Sequence, residues 1–174
     1  MSKQKNRRLT ALDIELAVSE FFGIKKNLII PNLSWSFFAH ELDLFVLTQN
    51  SFGYEVEIKV SVADLKKDLT KTHGHKDSKI KRLYYAIPGH LLNKSEIIPS
   101  HAGILLVSEK SVIENFPTPH EVVSYHTEII KEPEGTSSYK FTEAERIELY
   151  RLMAMRVWTG KKQLQKMKLK LAAK

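Results

Sequence analysis

The chain predicts an α/β fold laid out in the order helix, strand, strand, strand, helix, strand. Three observations carry that expectation. Ile14, Ala17, Val18, Phe21 and Phe22 recur at helical spacing, which makes a stripe for burial. Residues 41–60 hold two segments in which apolar and polar residues alternate, joined by a short polar link. Residues 61–69 return to helical patterning, and Leu83-Tyr84-Tyr85-Ala86-Ile87-Pro88 then reads as a buried strand closed by proline.

The first helix opens at Thr10, with Asp13 completing a capping box, and Gly23 suits its C-terminal stop. Asn27-Leu28-Ile29-Ile30-Pro31 predicts a short strand ended by its proline. Residues 34–40 lead on from it, and their aromatics are expected in the core. In Glu41–Leu47, Leu42, Leu44 and Val46 share one face, and Glu41 and Asp43 take the other. The link over residues 48–53 is polar and ends in Gly53, so an antiparallel hairpin is predicted. In the next strand Tyr54, Val56, Ile58 and Val60 share a face opposite Glu55, Glu57 and Lys59.

Ser61 and Asp64 form a second capping box, worth about 1 kcal/mol to the start of a helix. Asp68 and Lys71 are expected near the mouth of any site, and residues 72–76 form a loop. Residues 103–107 read as another buried strand, residues 121–131 as an edge strand or hairpin arm, and residues 132–138 as a loop. Thr142 and Glu145 cap a helix expected to run to about Trp158, where Thr159-Gly160 breaks it. The expected organisation is a basic arm over 1–9, one domain over 10–158 and a basic tail over 159–174.

The net charge of +7 belongs to the two ends. Lys3, Lys5, Arg7 and Arg8 carry four positive charges, and residues 161–174 carry six more, with no acid in either segment. Between them stand 17 basic and 20 acidic residues. Basic ends around a mildly acidic middle fit a protein that holds phosphate backbones about an acidic site, although such tails also serve solubility. The chain has no cysteine, which excludes disulfides, zinc–thiolate sites and a thiol nucleophile. No apolar run approaches the roughly 18 residues of a membrane span, and no apolar signal core follows the basic N-terminus. A cytoplasmic protein without membrane association is the expectation.

Pairing the two strands of the hairpin brings Asp43 close to Glu57 and Lys59. Adjacent carboxylates repel each other unless a cation sits between them. A divalent metal removes the conflict, and oxygen ligands of this kind suit Mg²⁺, or Mn²⁺ in its place. A lysine beside it can contact the attacking water or the charge developing on phosphorus. The pattern acid-x-Lys recurs at Asp64-Leu65-Lys66 and Asp77-Ser78-Lys79, but only Glu57-Ile58-Lys59 lies in an alternating strand that follows an acid-bearing one. Alternation by itself also fits a solvent-facing side with an ordinary Glu–Lys pair.

Glu15 sits at the edge of the first helix's stripe, which makes it a better candidate than Glu20 for a helix carboxylate reaching the site, although a boundary glutamate in water accounts for it more simply. His73 and His75 form a His-x-His pair without further matched ligands, so loop residues are expected there rather than a metal site. Lys71, His75 and Lys76, together with Lys161 and Lys162, are the residues assigned to nucleic-acid contact.

The order of elements, with Asp43 on one strand and Glu57-Ile58-Lys59 on the next, resembles the PD-(D/E)XK nuclease superfamily. The run Val56-Glu57-Ile58-Lys59-Val60-Ser61, followed by Asp64 and Asp68, is similar to that of its small DNA-repair-type members related to MmcB, as is Tyr84-Tyr85-Ala86 on the next strand. The likeness covers about residues 10–107. It implies a restriction-endonuclease-like fold, a mixed central sheet flanked by helices with an αβββαβ core. It also implies Mg²⁺-dependent cleavage or processing of DNA. Asp43 and Glu57 would hold the metal, helped by the Ile58 carbonyl, and Lys59 would orient or activate water. A first-helix glutamate joins the site in one branch, and Glu15 before Gly23 matches that placement. Leu42 stands where the superfamily's name has proline, which active members often lack. Nucleases that cut both strands are commonly dimers, and the helix over 143–158 offers an interface for a homodimer. The other readings are a nucleic-acid-binding or protein-interaction module that keeps the fold without the activity. On the nuclease reading, Lys59→Ala abolishes cleavage and leaves the fold intact.

Overall fold

The structure is a computed structural model that describes residues 8–33, 38, 40–68, 75, 77–114, 117–118 and 120–172, with no side chain described at 111, 113, 114, 120, 121 or 172. The chain falls into two units, Met1–Lys140 and Phe141–Lys174.

In the first unit, helix α1 (Ala11–Phe22) begins at the expected capping box. Asp13 N–H donates to Thr10 Oγ1, and Asp13 Oδ2 accepts from the Thr10 N–H at 2.8 Å. It ends at Gly23, whose φ of 76° lies in the left-handed region that glycine occupies without steric cost. Ile14, Ala17 and Val18 are buried as the spacing predicts, and Phe22 packs against them, but Phe21 is turned outward.

Among the described residues, six strands form one sheet in sequence order: β1 (Leu28–Leu33), β2 (Leu42–Leu47), β3 (Gly53–Ile58), β4 (Ile80–Pro88), β5 (Gly103–Glu114) and β6 (His120–Lys131). The first three pair antiparallel, β3, β4 and β5 run parallel, and β6 returns antiparallel to β5. The parallel step from β3 to β4 is made through helix α2 (Val62–Asp68), and the step from β4 to β5 through a 3₁₀ segment at Gly89–Ile97. The sheet is therefore mixed and flanked by helices, in the element order the sequence predicts.

Three details differ from expectation. Pro31 does not end β1; it lies inside the strand opposite Leu44, which its position at the sheet edge allows because an outward-facing N–H is not needed there. β5 extends to Glu114, beyond the apolar run that marks its start, because its second half pairs with β6. The helix of the second unit, α3 (Glu143–Ala172), begins at the expected Thr142–Glu145 capping box but runs unbroken through Thr159-Gly160. Thr159 Oγ1 donates to the Met155 carbonyl within the helix. A mid-helix glycine costs only about 1 kcal/mol relative to alanine, and the lysine, glutamine, leucine and methionine residues beyond it are strong helix formers. Thirty residues make a helix about 45 Å long. Among the described residues no helix is long and apolar enough to cross a membrane.

The sheet is covered on both faces. On one, Ile14, Ala17 and Val18 pack with Leu44, Val46, Val56, Ala86, Leu105 and Val107. On the other, Leu65 of α2 and Leu91 of the 3₁₀ segment pack with Leu83, Tyr85, Ile87 and Ile104. Removing each large side chain from water contributes about 1.5–3 kcal/mol. Gly103, beside Tyr84, has no room for a side chain: a Cβ there would stand 2.8 Å from both Tyr84 Cδ1 and Pro133 Cδ. Gly103→Ala is therefore expected to lose about 1–3 kcal/mol in urea unfolding. Unchanged stability would mean that the tyrosine and the proline yield together.

Candidate metal centre

Leu44 stands opposite Val56 and Phe45 opposite Glu55. Continuing that register sets Asp43 opposite Glu57, so Asp43, Phe45, Glu55 and Glu57 share a sheet face. Tyr85 joins them, because β4 places it beside Glu57. This is the face that carries α2, and it is not the solvent-facing side that alternation alone also fits. Glu55 and Glu57 are fully buried, and Lys59 is nearly so.

The juxtaposition expected of the hairpin is present. Lys59 Nζ donates to Glu57 Oε2, and it lies 3.2 Å from Asp68 Oδ1 and 3.7 Å from Asp43 Oδ2. The Ile58 N–H donates to Asp43 Oδ2 at 2.9 Å and holds that carboxylate in place. The Asp43 side chain is 41% exposed and that of Glu57 1%, so the cluster opens on the Asp43 side. Ser61 Oγ donates to Asp64 Oδ2 and accepts from the Asp64 N–H, which starts α2 and brings Asp68 in from its far end. Asp68 is thus inside the cluster, 5% exposed, and not at its mouth.

The charges are poorly matched. Burial raises the Glu57 pKa, Asp43 raises it further, and Lys59 and His75 pull the other way without cancelling the rise. Burial disfavours the Lys59 ammonium, but Glu57 first, then Asp43 and Asp68, hold its pKa above the ordinary lysine value. The Glu15 carboxyl on α1 is also raised, by burial and then by Asp43, so its charge is felt at the site. Crowded carboxylates of this kind, two of them on facing strands and one open to solvent, are a donor set that suits a hard dication of the Mg²⁺ class. Asp43 and Glu57 are the residues that would hold it.

Behind this pair lies a network that the sequence reading did not assemble. Glu55 Oε1 is 2.9 Å from His40 Nε2 and 2.6 Å from His75 Nδ1, and His75 Nε2 is 2.9 Å from Asp68 Oδ2. Tyr85 donates its hydroxyl to the same Asp68 oxygen. Burial raises the Glu55 pKa, but the hydrogen bonds from His40 and His75 outweigh it and leave the carboxyl below its ordinary value. Burial lowers the His75 pKa, but its bonds to Asp68 and Glu55 prevail and lift it to about 9. The position of His75 corrects its assignment to nucleic-acid contact: its side chain is 3% exposed and faces carboxylates. Its φ of 52° is unusual for a residue with a side chain, and such backbone strain gathers at functional sites. Lys71, His73 and Lys76 lie outside the described residues. Lys161 and Lys162 are exposed on α3, and Lys161 Nζ sits 4.9 Å from the centre of the Trp158 ring.

One signal for Glu55 was in the sequence, since it alternates onto the face of Glu57. Nothing local marks His40 or His75 as its partners, 15 and 20 residues away.

No family model and no curated protein matches the chain. Among solved structures it is similar to a protein of unknown function from Silicibacter pomeroyi, at 17% identity and a TM-score of 0.61, over 91% of this chain and 94% of that one. The likeness is one of fold alone.

Proposed function

We propose that this chain is a metal-dependent nuclease of the PD-(D/E)XK kind, with a restriction-endonuclease-like core, which hydrolyses phosphodiester bonds of DNA. The observation that carries the reading is the meeting of Asp43, Glu57 and Lys59 at the ends of β2 and β3, with Lys59 Nζ against Glu57 and 3.7 Å from Asp43. The basic segments at either end of the chain support a polyanionic substrate.

A bound Mg²⁺ or Mn²⁺ would supply charge neutralisation at the scissile phosphate and acidify a water molecule. Asp43 and Glu57 would contribute the carboxylate oxygens that hold it. Because Lys59 is kept in its ammonium form by three carboxylates, it serves as a hydrogen-bond donor and a positive charge rather than a base. It orients the attacking water and offsets the charge that develops on the phosphate oxygens. Asp68 steadies the ammonium from the side away from solvent, and the Ile58 N–H keeps Asp43 turned inward.

The test is a panel of labelled duplex, flap, junction and single-stranded DNA incubated with Mg²⁺, Mn²⁺ or EDTA, beside Asp43→Ala. Cutting that needs the metal and falls about 10²-fold or more in the variant is expected. Salt-sensitive binding with no cutting of any substrate would replace this reading with a non-catalytic nucleic-acid-binding module.

A further inference from the structure

The network behind the Asp43–Glu57 pair has its own donor set. His40, Glu55 and His75 each present a ligand atom, all within 4.8 Å of one another, and all three residues are buried. Glu55 is fully buried, yet only Oε1 receives the two imidazoles; Oε2 has no hydrogen-bond partner among the described residues. Leaving a buried carboxylate oxygen unsatisfied costs about 1–3 kcal/mol or more. The outer side of His75 is equally specific, with Nε2 on Asp68 and Asp68 held in turn by the Tyr85 hydroxyl. An imidazole bound to metal through one nitrogen commonly donates from the other to a carboxylate, which fixes its ring and tautomer. Two imidazoles and a carboxylate are borderline ligands that favour zinc-class ions over Mg²⁺. His75 also borders a cavity of about 320 Å³, lined by Asp77, Ser78 and His101 among others.

We propose that His40, Glu55 and His75 form a second metal site, for a transition-metal dication of the Zn²⁺ class, distinct from the Mg²⁺-class pair Asp43 and Glu57. The ion sits among His40 Nε2, His75 Nδ1 and the Glu55 carboxylate, with water completing four-coordination. At metal–ligand distances of about 2.0–2.1 Å, tetrahedral donors stand roughly 3.3 Å apart. The present separations of 2.6 and 2.9 Å must therefore open by less than an ångström. A metal takes an imidazole only through an unprotonated nitrogen, so its binding competes with protons and strengthens as pH rises. The site ties His75 to the strand that carries Glu57. Its effect on Lys59, through His75 and Asp68, rests on the nuclease reading; metal binding itself does not.

The experiment is titration of the metal-depleted full chain with Zn²⁺ by calorimetry, and with Co²⁺ by visible absorption, in excess Mg²⁺. One equivalent is expected to bind, to raise the unfolding temperature, and to persist in Asp43→Ala. Glu55→Gln and His40→Gln should each weaken it by about 100-fold or more. No saturable binding by the wild-type chain would overturn the proposal, as would binding lost in Asp43→Ala but kept in both other variants. Mg²⁺-dependent DNA cleavage without the Zn²⁺ site would sink this inference and leave the nuclease reading standing. Zn²⁺ binding without cleavage on any substrate would do the reverse.

Discussion

On the proposed nuclease reading, Lys59→Ala is expected to lose both cleavage and stability. Lys59 stands among Glu57, Asp68 and Asp43, and its own side chain is 7% exposed. Removing it leaves carboxylates facing one another in a cluster where Asp43 is the exposed member. Breaking a buried ion pair from one side typically costs about 3–5 kcal/mol, and that is the expected deficit at pH 7 in urea unfolding. This revises the simpler expectation that alanine at this position would leave the fold intact. The deficit should shrink as pH falls towards the carboxylate range, because the raised Glu57 carboxyl takes up a proton before an ordinary glutamate does. Mg²⁺ should recover part of it by restoring positive charge between Asp43 and Glu57. Cleavage should drop about 10²–10³-fold or more under conditions where the variant is still folded. Asp43→Asn is the companion measurement, since its more exposed side chain can change with a smaller effect on folding. A folded Lys59→Ala that cuts DNA at the wild-type rate would remove the role given to the lysine. Wild-type stability at pH 7 would contradict the ion cluster itself.

The second large effect concerns pH. In EDTA, stability is expected to fall as pH rises from 6.5 to about 9.5, and His75 is the cause. Its pKa is lifted from 6.5 to about 9 in the folded chain by Asp68 and Glu55, with Glu57 3.7 Å away and the His40 and Tyr85 rings close by. A histidine raised in this way stabilises the fold fully below its unfolded value, and the contribution disappears as pH climbs through the folded value. For a shift of this size the loss is on the order of 2–3 kcal/mol. Glu55 acts in the opposite window: its lowered pKa contributes stability that is lost as pH falls below the ordinary carboxylate range. Urea unfolding of wild type and His75→Gln from pH 6 to 9.5 separates the histidine from everything else. A slope that survives unchanged in His75→Gln would assign the effect to another group.

Both expectations turn on groups whose surroundings the chain reveals unevenly. The Asp43–Glu57–Lys59 meeting was legible because a hairpin has local rules. Period-2 alternation assigns faces, the Gly53-terminated link sets the return, and the register follows. The same locality made the caps of α1 and α3 readable, since a Thr and an acid three residues on satisfy each other's backbone groups. The limits of local rules are visible at Pro31 and Gly160. Proline marks a strand end by local rules, but an edge strand tolerates it. Glycine beside threonine marks a helix break by the same rules, but its helix penalty is too small to stop a long run of good helix formers.

By itself, then, the sequence determined the order of elements, the hairpin, the acid pair with its lysine, and the concentration of positive charge at the ends. These depend on neighbours within a few residues or on composition. Only the tertiary structure decided that the Glu55–Glu57 face is covered, that Asp68 turns inward from the end of α2, and that His40 and His75 meet on one carboxylate oxygen. A strand's alternation says which side chains share a face but not what covers that face. The covering is set by α2, by the parallel return of β4, and by two histidines that approach Glu55 from opposite sides in sequence. Burial then does the rest, because in a site of low dielectric a carboxylate and an imidazole that would titrate independently in water are bound into one network.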